Sequence, residues 1–105
     1  MDEKTIEQAV QALLHAVPVG SKVILFGSYA RGDAGERSDI DFMVVEPKVE
    51  NRIEEMVRLE SVLRAFEFPI DILVVSAERF SYWRDTPNTV YYKAAREGRV
   101  YESHA

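Results

Sequence analysis

The stretch FGSYARGDAGERSDID, residues 26–41, guides the interpretation of the whole sequence. An apolar, strand-like run leads into it and breaks at Gly27-Ser28, and a polar loop follows. The stretch ends on Asp39 and Asp41, which one apolar residue separates. On a β-strand, residues i and i+2 point to the same face about 7 Å apart. Two carboxylates held that close repel each other unless a cation lies between them, so the pattern predicts a cation site.

Length and composition limit what can surround this stretch. We expect one small domain over residues 1–105, with a single modest core. The sequence is 47% hydrophobic and 30% charged, as in ordinary soluble proteins. It has no apolar run of the roughly 20 residues that span a membrane, and its acidic start is unlike a signal peptide. We therefore expect a cytoplasmic protein that does not bind membranes.

Cysteine and charge content narrow the function further. The sequence has no cysteine, which excludes disulfides and thiolate metal sites. Its net charge of −5 argues against broad nucleic-acid binding, because phosphate contacts dominate that affinity. Arg31 and Arg37 leave room for a local basic patch. A protein is therefore the more plausible macromolecular partner.

The pattern of apolar residues predicts a helix–strand–loop–strand–helix–strand–helix order. The predicted helices cover residues 4–17, 50–66 and 89–96 with a short helical segment from 77, and the predicted strands cover 22–26, 39–45 and 70–75. This order predicts an α/β (α+β) fold in which helices pack against a small mixed sheet. The tail from Tyr101 gives no prediction.

Two sets of apolar side chains are expected to pack on this sheet. The helix over 50–66 carries an apolar stripe made of Ile53, Met56, Val57, Val62, Leu63 and Phe66. Near the C-terminus, Trp83, Tyr91 and Tyr92 are most simply packed on the core, and an aromatic patch for a partner subunit is the alternative.

The third strand is apolar except for Asp71. A lone carboxylate in such a strand needs a partner or a metal. If this strand neighbours the one that carries Asp39 and Asp41, three carboxylates meet on one face of the sheet. Hard oxygen donors of this kind favour Mg²⁺ over zinc, and carboxylate-bound Mg²⁺ commonly completes its shell with substrate phosphates. The pattern thus indicates phosphoryl or nucleotidyl transfer, in which paired metal ions align the attacking and leaving oxygens.

The residues after the first strand fit the same chemistry. Gly27 lets the backbone approach a phosphate closely, and Ser28 adds a hydroxyl donor. Arg31 can neutralise charge on a leaving pyrophosphate, although a salt bridge to one of the aspartates is the equal alternative. The role of Arg37 stays open, and the stretch is not a Walker loop because no Gly-Lys-Ser/Thr follows.

The arrangement Gly27-Ser28, ten residues, then Asp39-Ile40-Asp41 resembles the signature of the DNA polymerase beta-like nucleotidyltransferase superfamily. The fuller string GSYARGDAGERSDID resembles the minimal nucleotidyltransferase group, which includes the MntA-type antitoxins. The resemblance extends to Asp71 and, loosely, to an Ala-X-X-Glu-Gly stretch at residues 94–98.

This resemblance implies a polymerase-beta-like nucleotidyltransferase fold and a division of roles among the residues. Asp39 and Asp41 would bind two Mg²⁺ ions, and Asp71 would bind the catalytic metal and help to activate the attacking hydroxyl. Gly27 and Ser28 would hold ATP. The group implies AMP transfer from ATP to a tyrosine of a HEPN-domain toxin encoded on a separate chain.

Other functions remain open at this stage. The aspartates could merely cap a loop, and the chain could neutralise a toxin by direct contact without catalysis. The acceptor could also be a small molecule, although enzymes of that kind usually have an additional substrate-binding domain. The acceptor, the base preference and the oligomeric state, whether homo- or hetero-oligomer, do not follow from the sequence.

Overall fold

The computed structural model describes residues 3–35 and 39–102, so Arg37 lies outside the described residues. The elements are α1 Glu3–Ala16, β1 Lys22–Phe26, α2 Ser28–Arg31, β2 Ile40–Glu46, α3 Arg52–Val62, β3 Ile70–Ser76, α4 Ala77–Trp83, α5 Val90–Glu97 and β4 Arg99–Glu102. No helix among these elements is long and apolar enough to cross a membrane.

The four strands form one mixed sheet in the order β3-β2-β1-β4. Strand β2 runs parallel to β3 and antiparallel to β1, and β4 pairs antiparallel with β1. This confirms the predicted mixed sheet, in which β1 is an interior strand. The sequence pattern missed β4, because its alternation of half-buried and exposed residues over only four positions leaves little apolar signal.

Helices cover both faces of the sheet, and strand alternation assigns each side chain to a face. On β2, Ile40 and Phe42 belong to a core shared with α1 and α3. Met43 and Val45 belong to a second cluster with residues of α4 and α5. Asp41 has the parity of Met43 and Val45, so its carboxylate faces the side of α4 and α5.

Most element bounds lie within one residue of the predicted ranges, and the differences at β2 and α3 matter for the site and the core. Strand β2 begins at Ile40, so Asp39 lies at the end of the preceding loop and is exposed. Helix α3 is shorter than its apolar pattern: Asn51 caps it by accepting from the Glu54 amide, and the helix ends at Val62.

The predicted apolar stripe of α3 is wrong in part. Leu59 of α3 and Leu63, the residue after its end, are buried, whereas Ile53 and Val57 are 61% and 57% exposed. At about 100° per residue, the exposed pair lies about 120° around the axis from the buried pair. A helix that packs on one face of a four-stranded sheet buries only the narrower arc.

The aromatic side chains near the C-terminus divide between core and surface. Tyr91 packs on the cluster beneath α5, as the packing interpretation predicted. Trp83 is partly buried and meets Tyr82 edge to face, with ring centroids 5.0 Å apart. Tyr82 itself is 74% exposed.

Candidate functional site

Two of the predicted carboxylates lie side by side in the sheet. Asp41 and Asp71 are directly paired in the register of the parallel strands β2 and β3. Paired residues of neighbouring strands point to the same face, so both carboxylates face one side. Asp39 comes two residues before Asp41 on the same chain segment. The expectation that the two aspartate-bearing strands are neighbours is therefore confirmed.

The three carboxylates act on one another electrostatically. Burial raises the pKa of Asp41 above its ordinary value, and the charges of Asp71 and Asp39 raise that pKa further. Burial likewise raises the pKa of Asp71. The charge of Asp39, a hydrogen bond with Asp39 and the charge of Glu60 raise it further, in that order. Like charges disfavour each other's ionised form, so the cluster favours a bound cation or proton.

Glycine is required where the first strand ends. Gly27 has φ 79° and ψ −157°, a backbone conformation that side chains disfavour, and it caps the four-residue helix α2. A methyl group at Gly27 would collide with the carboxylate of Asp41, whose Cγ would lie 3.3 Å away. The backbone and the carboxylate are thus packed directly against each other. Ser28 follows as the first residue of α2 and is partly buried.

Arg31 pairs with carboxylates other than the three aspartates of the cluster. Its Nε donates to Asp33 at 3.1 Å, and its Nη1 donates to Glu97 Oε1 at 3.1 Å. The hydrogen bond with Asp33, followed by that with Glu97, raises the pKa of Arg31 above its ordinary value. Its predicted contact with nucleotide stays a prediction.

A cleft of about 1020 Å³ lies between the sheet and α5. Asp41 and Asp71 line it on one side, and Lys93, Arg96 and Glu97 line it from α5. The cleft is large enough for a nucleotide. Lys93 partly offsets the negative charge around Asp41.

The three α5 side chains were missed as site residues in the sequence. Their spacing of i, i+3 and i+4 places Lys93, Arg96 and Glu97 on one face of a helix, and this was the available signal. The spacing does not reveal which structure that face meets. Arg96 also lies over the ring of Tyr92, 4.9 Å from its centroid.

The donor chemistry of the cluster fits Mg²⁺, since all three groups are carboxylates. Their placement on neighbouring chain segments fits as well. Among residues 3–35 and 39–102, however, no three histidine, aspartate and glutamate side chains are arranged to hold a metal ion as they stand. The fit is therefore one of ligand type and position.

A domain-family model and individual proteins match parts of this chain. A family model described as a nucleotidyltransferase domain matches residues 6–100. Two proteins of Methanocaldococcus jannaschii, both named as proposed protein adenylyltransferases, are 51% identical over 45 residues and 36% identical over 53 residues. These stretches cover 42% and 50% of this chain, and 45% and 52% of the relatives. The matched part thus spans about half the length of these relatives.

Two solved structures share the fold. A proposed nucleotidyltransferase from Sulfolobus solfataricus superposes with a TM-score of 0.63 at 22% identity, covering 92% of this chain and 76% of the other. A chain from a toxin–antitoxin crystal structure with AMP-PNP superposes with a TM-score of 0.65 at 19% identity, covering 99% and 76%. At these identities the likeness shows the fold.

Proposed function

Because the chain belongs to the nucleotidyltransferase domain family, we propose that it transfers AMP from ATP to a hydroxyl group of a protein. The observation that carries the proposal is the in-register pair of Asp41 and Asp71 at the cleft. The names of the two M. jannaschii relatives support a protein acceptor.

The reaction is a displacement at the α-phosphorus of ATP. The acceptor oxygen forms a bond to the α-phosphorus while the bond from that phosphorus to the bridging oxygen of the β-phosphate breaks. The acceptor hydroxyl loses its proton, and pyrophosphate leaves. Asp71, an exposed residue of the edge strand β3, is proposed to take part in activating the acceptor hydroxyl.

The cations of the cleft are proposed to bind the nucleotide. Lys93 and Arg96 face the aspartates from α5 and are placed to meet the polyphosphate. Gly27 and Ser28 are proposed to hold the phosphates as well, with Arg31 near the leaving group. Because pyrophosphate is highly charged, cations that meet it late in the reaction lower the barrier.

Mg²⁺ is the proposed cofactor, as two ions held by Asp39, Asp41 and Asp71. When bound there, it would neutralise the carboxylates and stabilise the charge that develops on the transferred phosphate. The raised pKa values of Asp41 and Asp71 support this assignment, because after burial their next cause is neighbouring negative charge that a cation would offset.

The proposed acceptor is a tyrosine of a HEPN-domain toxin, which makes this chain the antitoxin of a pair. The likeness of the motif to MntA-type antitoxins and the toxin–antitoxin neighbour of the same fold support this partner. The complex would be a hetero-oligomer in which the toxin brings its tyrosine to the open cleft.

The test is label transfer from [α-³²P]ATP. The chain is incubated with Mg²⁺, the labelled ATP and the protein encoded beside its gene, and the proteins are separated on a denaturing gel. We expect label on the partner. Asp41→Asn should remove it, whereas Asp85→Asn, the same change in an exposed residue outside the cleft lining, should not.

Two further outcomes decide the mechanism. Tight binding of the partner by wild type and Asp41→Asn alike, with no label transfer, would contradict catalysis and support neutralisation by contact. Affinity for α,β-methylene-ATP, whose α–β bridge cannot be cleaved, should fall sharply in EDTA. Unchanged affinity without divalent metal would contradict the carboxylate assignment.

A further inference from the structure

We infer that Glu97 is a positioning residue of the cleft: it fixes the backbone at Gly27 and, through Gly27, the Asp41 carboxylate. Its effect on catalysis rests on the proposed function, whereas the contacts themselves do not.

Glu97 joins two parts of the chain that are far apart in sequence. Its Oε1 accepts from the Gly27 amide at 3.0 Å. Both of its carboxylate oxygens accept from Nη1 of Arg31, at 3.1 and 3.4 Å. Gly27 caps the start of α2 and Arg31 is its last residue, so one side chain of α5 holds both ends of α2.

The C-terminal end of α5 lies close enough to make these contacts because of Gly98. A methyl group there would collide with the carbonyl oxygen of Ala94 and with the Ile24 side chain of β1. Gly98 therefore lets the end of α5 lie directly on β1, one residue after Glu97. The next residues continue as β4, which pairs with β1 and holds this end of the helix in place.

The influence of Glu97 continues from Gly27 to Asp41. A methyl group on Gly27 would collide with the Asp41 carboxylate, so this backbone forms the wall against which the carboxylate rests. Phe26, the residue before Gly27, pairs with Asp41 across the β1–β2 ladder. A change in the backbone at Gly27 therefore shifts the surroundings of Asp41 directly.

The charge balance also fits a positioning role. Glu97 is a fourth carboxylate on a cleft lining that already holds Asp41, Asp71 and Glu60, and it would add to their repulsion if it were unpaired. Its pairing with Arg31 offsets this charge. The Glu97 side chain is 22% exposed, whereas that of Arg31 is 39% exposed, so the carboxylate is the more enclosed partner.

The test separates the two contacts of Glu97. Glu97→Ala removes both, whereas Glu97→Gln keeps a carbonyl oxygen for the Gly27 amide and loses the charge that faces Arg31. Glu102→Gln, the same change in an exposed residue of β4 that pairs with Lys22 at 3.9 Å, is the matched control. Unfolding midpoints select conditions under which every variant is folded.

The first readout needs no activity. In ¹⁵N-labelled protein, the Gly27 amide proton should move upfield in Glu97→Ala, keep most of its shift in Glu97→Gln, and stay in place in Glu102→Gln. An unmoved Gly27 amide in Glu97→Ala would overturn the inference. The Gly27 amide shifts could follow this pattern while the wild-type chain neither binds nor transfers nucleotide. That result would overturn the proposed function and the catalytic part of the inference, and it would leave the contact between Glu97 and Gly27 established.

The second readout is label transfer at saturating ATP. Because displacements of about 1 Å cost about 100-fold in rate, we expect kcat of Glu97→Ala to fall by about 100-fold. Glu97→Gln should recover at least about tenfold of that loss, since it keeps the Gly27 contact. A purely structural ion pair would change the unfolding midpoint and leave kcat of the folded protein alone. A kcat within twofold of wild type for Glu97→Ala would therefore refute the positioning role.

Discussion

Replacing Gly27 with alanine tests whether the Asp41 carboxylate depends on direct contact with the backbone. Gly27 has φ 79° and ψ −157°, where a side chain costs about 1–3 kcal/mol. The new methyl group also displaces the Asp41 carboxylate from its place. Forcing that side chain out of its preferred rotamer adds about 0.5–1.5 kcal/mol. We therefore expect the free energy of unfolding to fall by about 2–4 kcal/mol.

Gly32→Ala is the matched control, because Gly32 also has a positive φ of 83° and ends the same short helix. A methyl group at Gly32 would have no atom within 4 Å. It should cost about 1–2 kcal/mol of left-handed strain and leave Asp41 in place. Urea unfolding measures both variants: with an m-value of about 1–3 kcal/mol/M, the midpoint of Gly27→Ala should fall by roughly 1 M or more.

Activity gives the sharper contrast between the two glycine variants. Under conditions in which both are folded, Gly32→Ala should transfer label at close to the wild-type rate. Gly27→Ala should lose about 100-fold, since the Asp41 carboxylate has moved. Equal destabilisation of the two variants, together with a wild-type transfer rate in Gly27→Ala, would refute the reasoning from the packed carboxylate.

The remaining predictions concern a buried acid, a second glycine and a cation of the cleft. Glu46 is 3% exposed, and burial is the first cause that raises its pKa to about 8. Because this folded-state pKa lies above the ordinary value of 4.5, protonated Glu46 contributes stability that is fully present below pH 4.5. That stability is lost as the pH rises through 8. Glu46→Gln should therefore gain at least about 1 kcal/mol relative to wild type between pH 5 and pH 8.5 in urea unfolding, and a constant difference would contradict the raised pKa. Gly98→Ala should lower the free energy of unfolding by about 1–3 kcal/mol, because the new methyl group collides with a backbone carbonyl oxygen even though the φ of Gly98, −76°, suits any residue. A thermal midpoint at or above that of wild type would exclude this collision. Lys93→Met should raise the KM for ATP by about tenfold or more with the unfolding midpoint unchanged, since a hydrogen bond to a charged group is worth about 1.5–3 kcal/mol. Lys4→Met, at an exposed position of α1, is the control, and a wild-type KM in Lys93→Met would remove Lys93 from the nucleotide site.

Much of the fold follows from local patterns in the sequence. Apolar runs of strand length, helical periodicity and turn residues give the order of the elements, and that order with three aspartates led to the family. Aspartate is rare in a buried apolar strand, so Asp41 and Asp71 stood out without any structure. The Gly27-Ser28 turn also stood out, because glycine marks backbone conformations that other residues avoid.

Other features could not be predicted because they depend on which surfaces meet. Ile53 and Val57 belong to an apolar pattern, but only the packing of α3 on the sheet leaves them exposed. Strand β4 has a weak pattern of its own and exists because the edge of β1 supplies its hydrogen-bond partners. Arg31 was considered as a salt-bridge partner of one of the site aspartates, and it pairs with Asp33 and Glu97 instead.

The sequence by itself determined the Asp39–Asp41 pair, the Gly27-Ser28 turn and the family. Each of these depends on residues close together in the chain or on a fixed spacing. Only the tertiary structure decided that α5 forms the opposite wall of the cleft and that Glu97 holds the Gly27 amide from 70 residues away. The physical reason is that a hydrogen bond over such a distance leaves no periodic signal in the sequence. It forms where Gly98 allows α5 to lie on β1, and this close approach is a property of the packed chain.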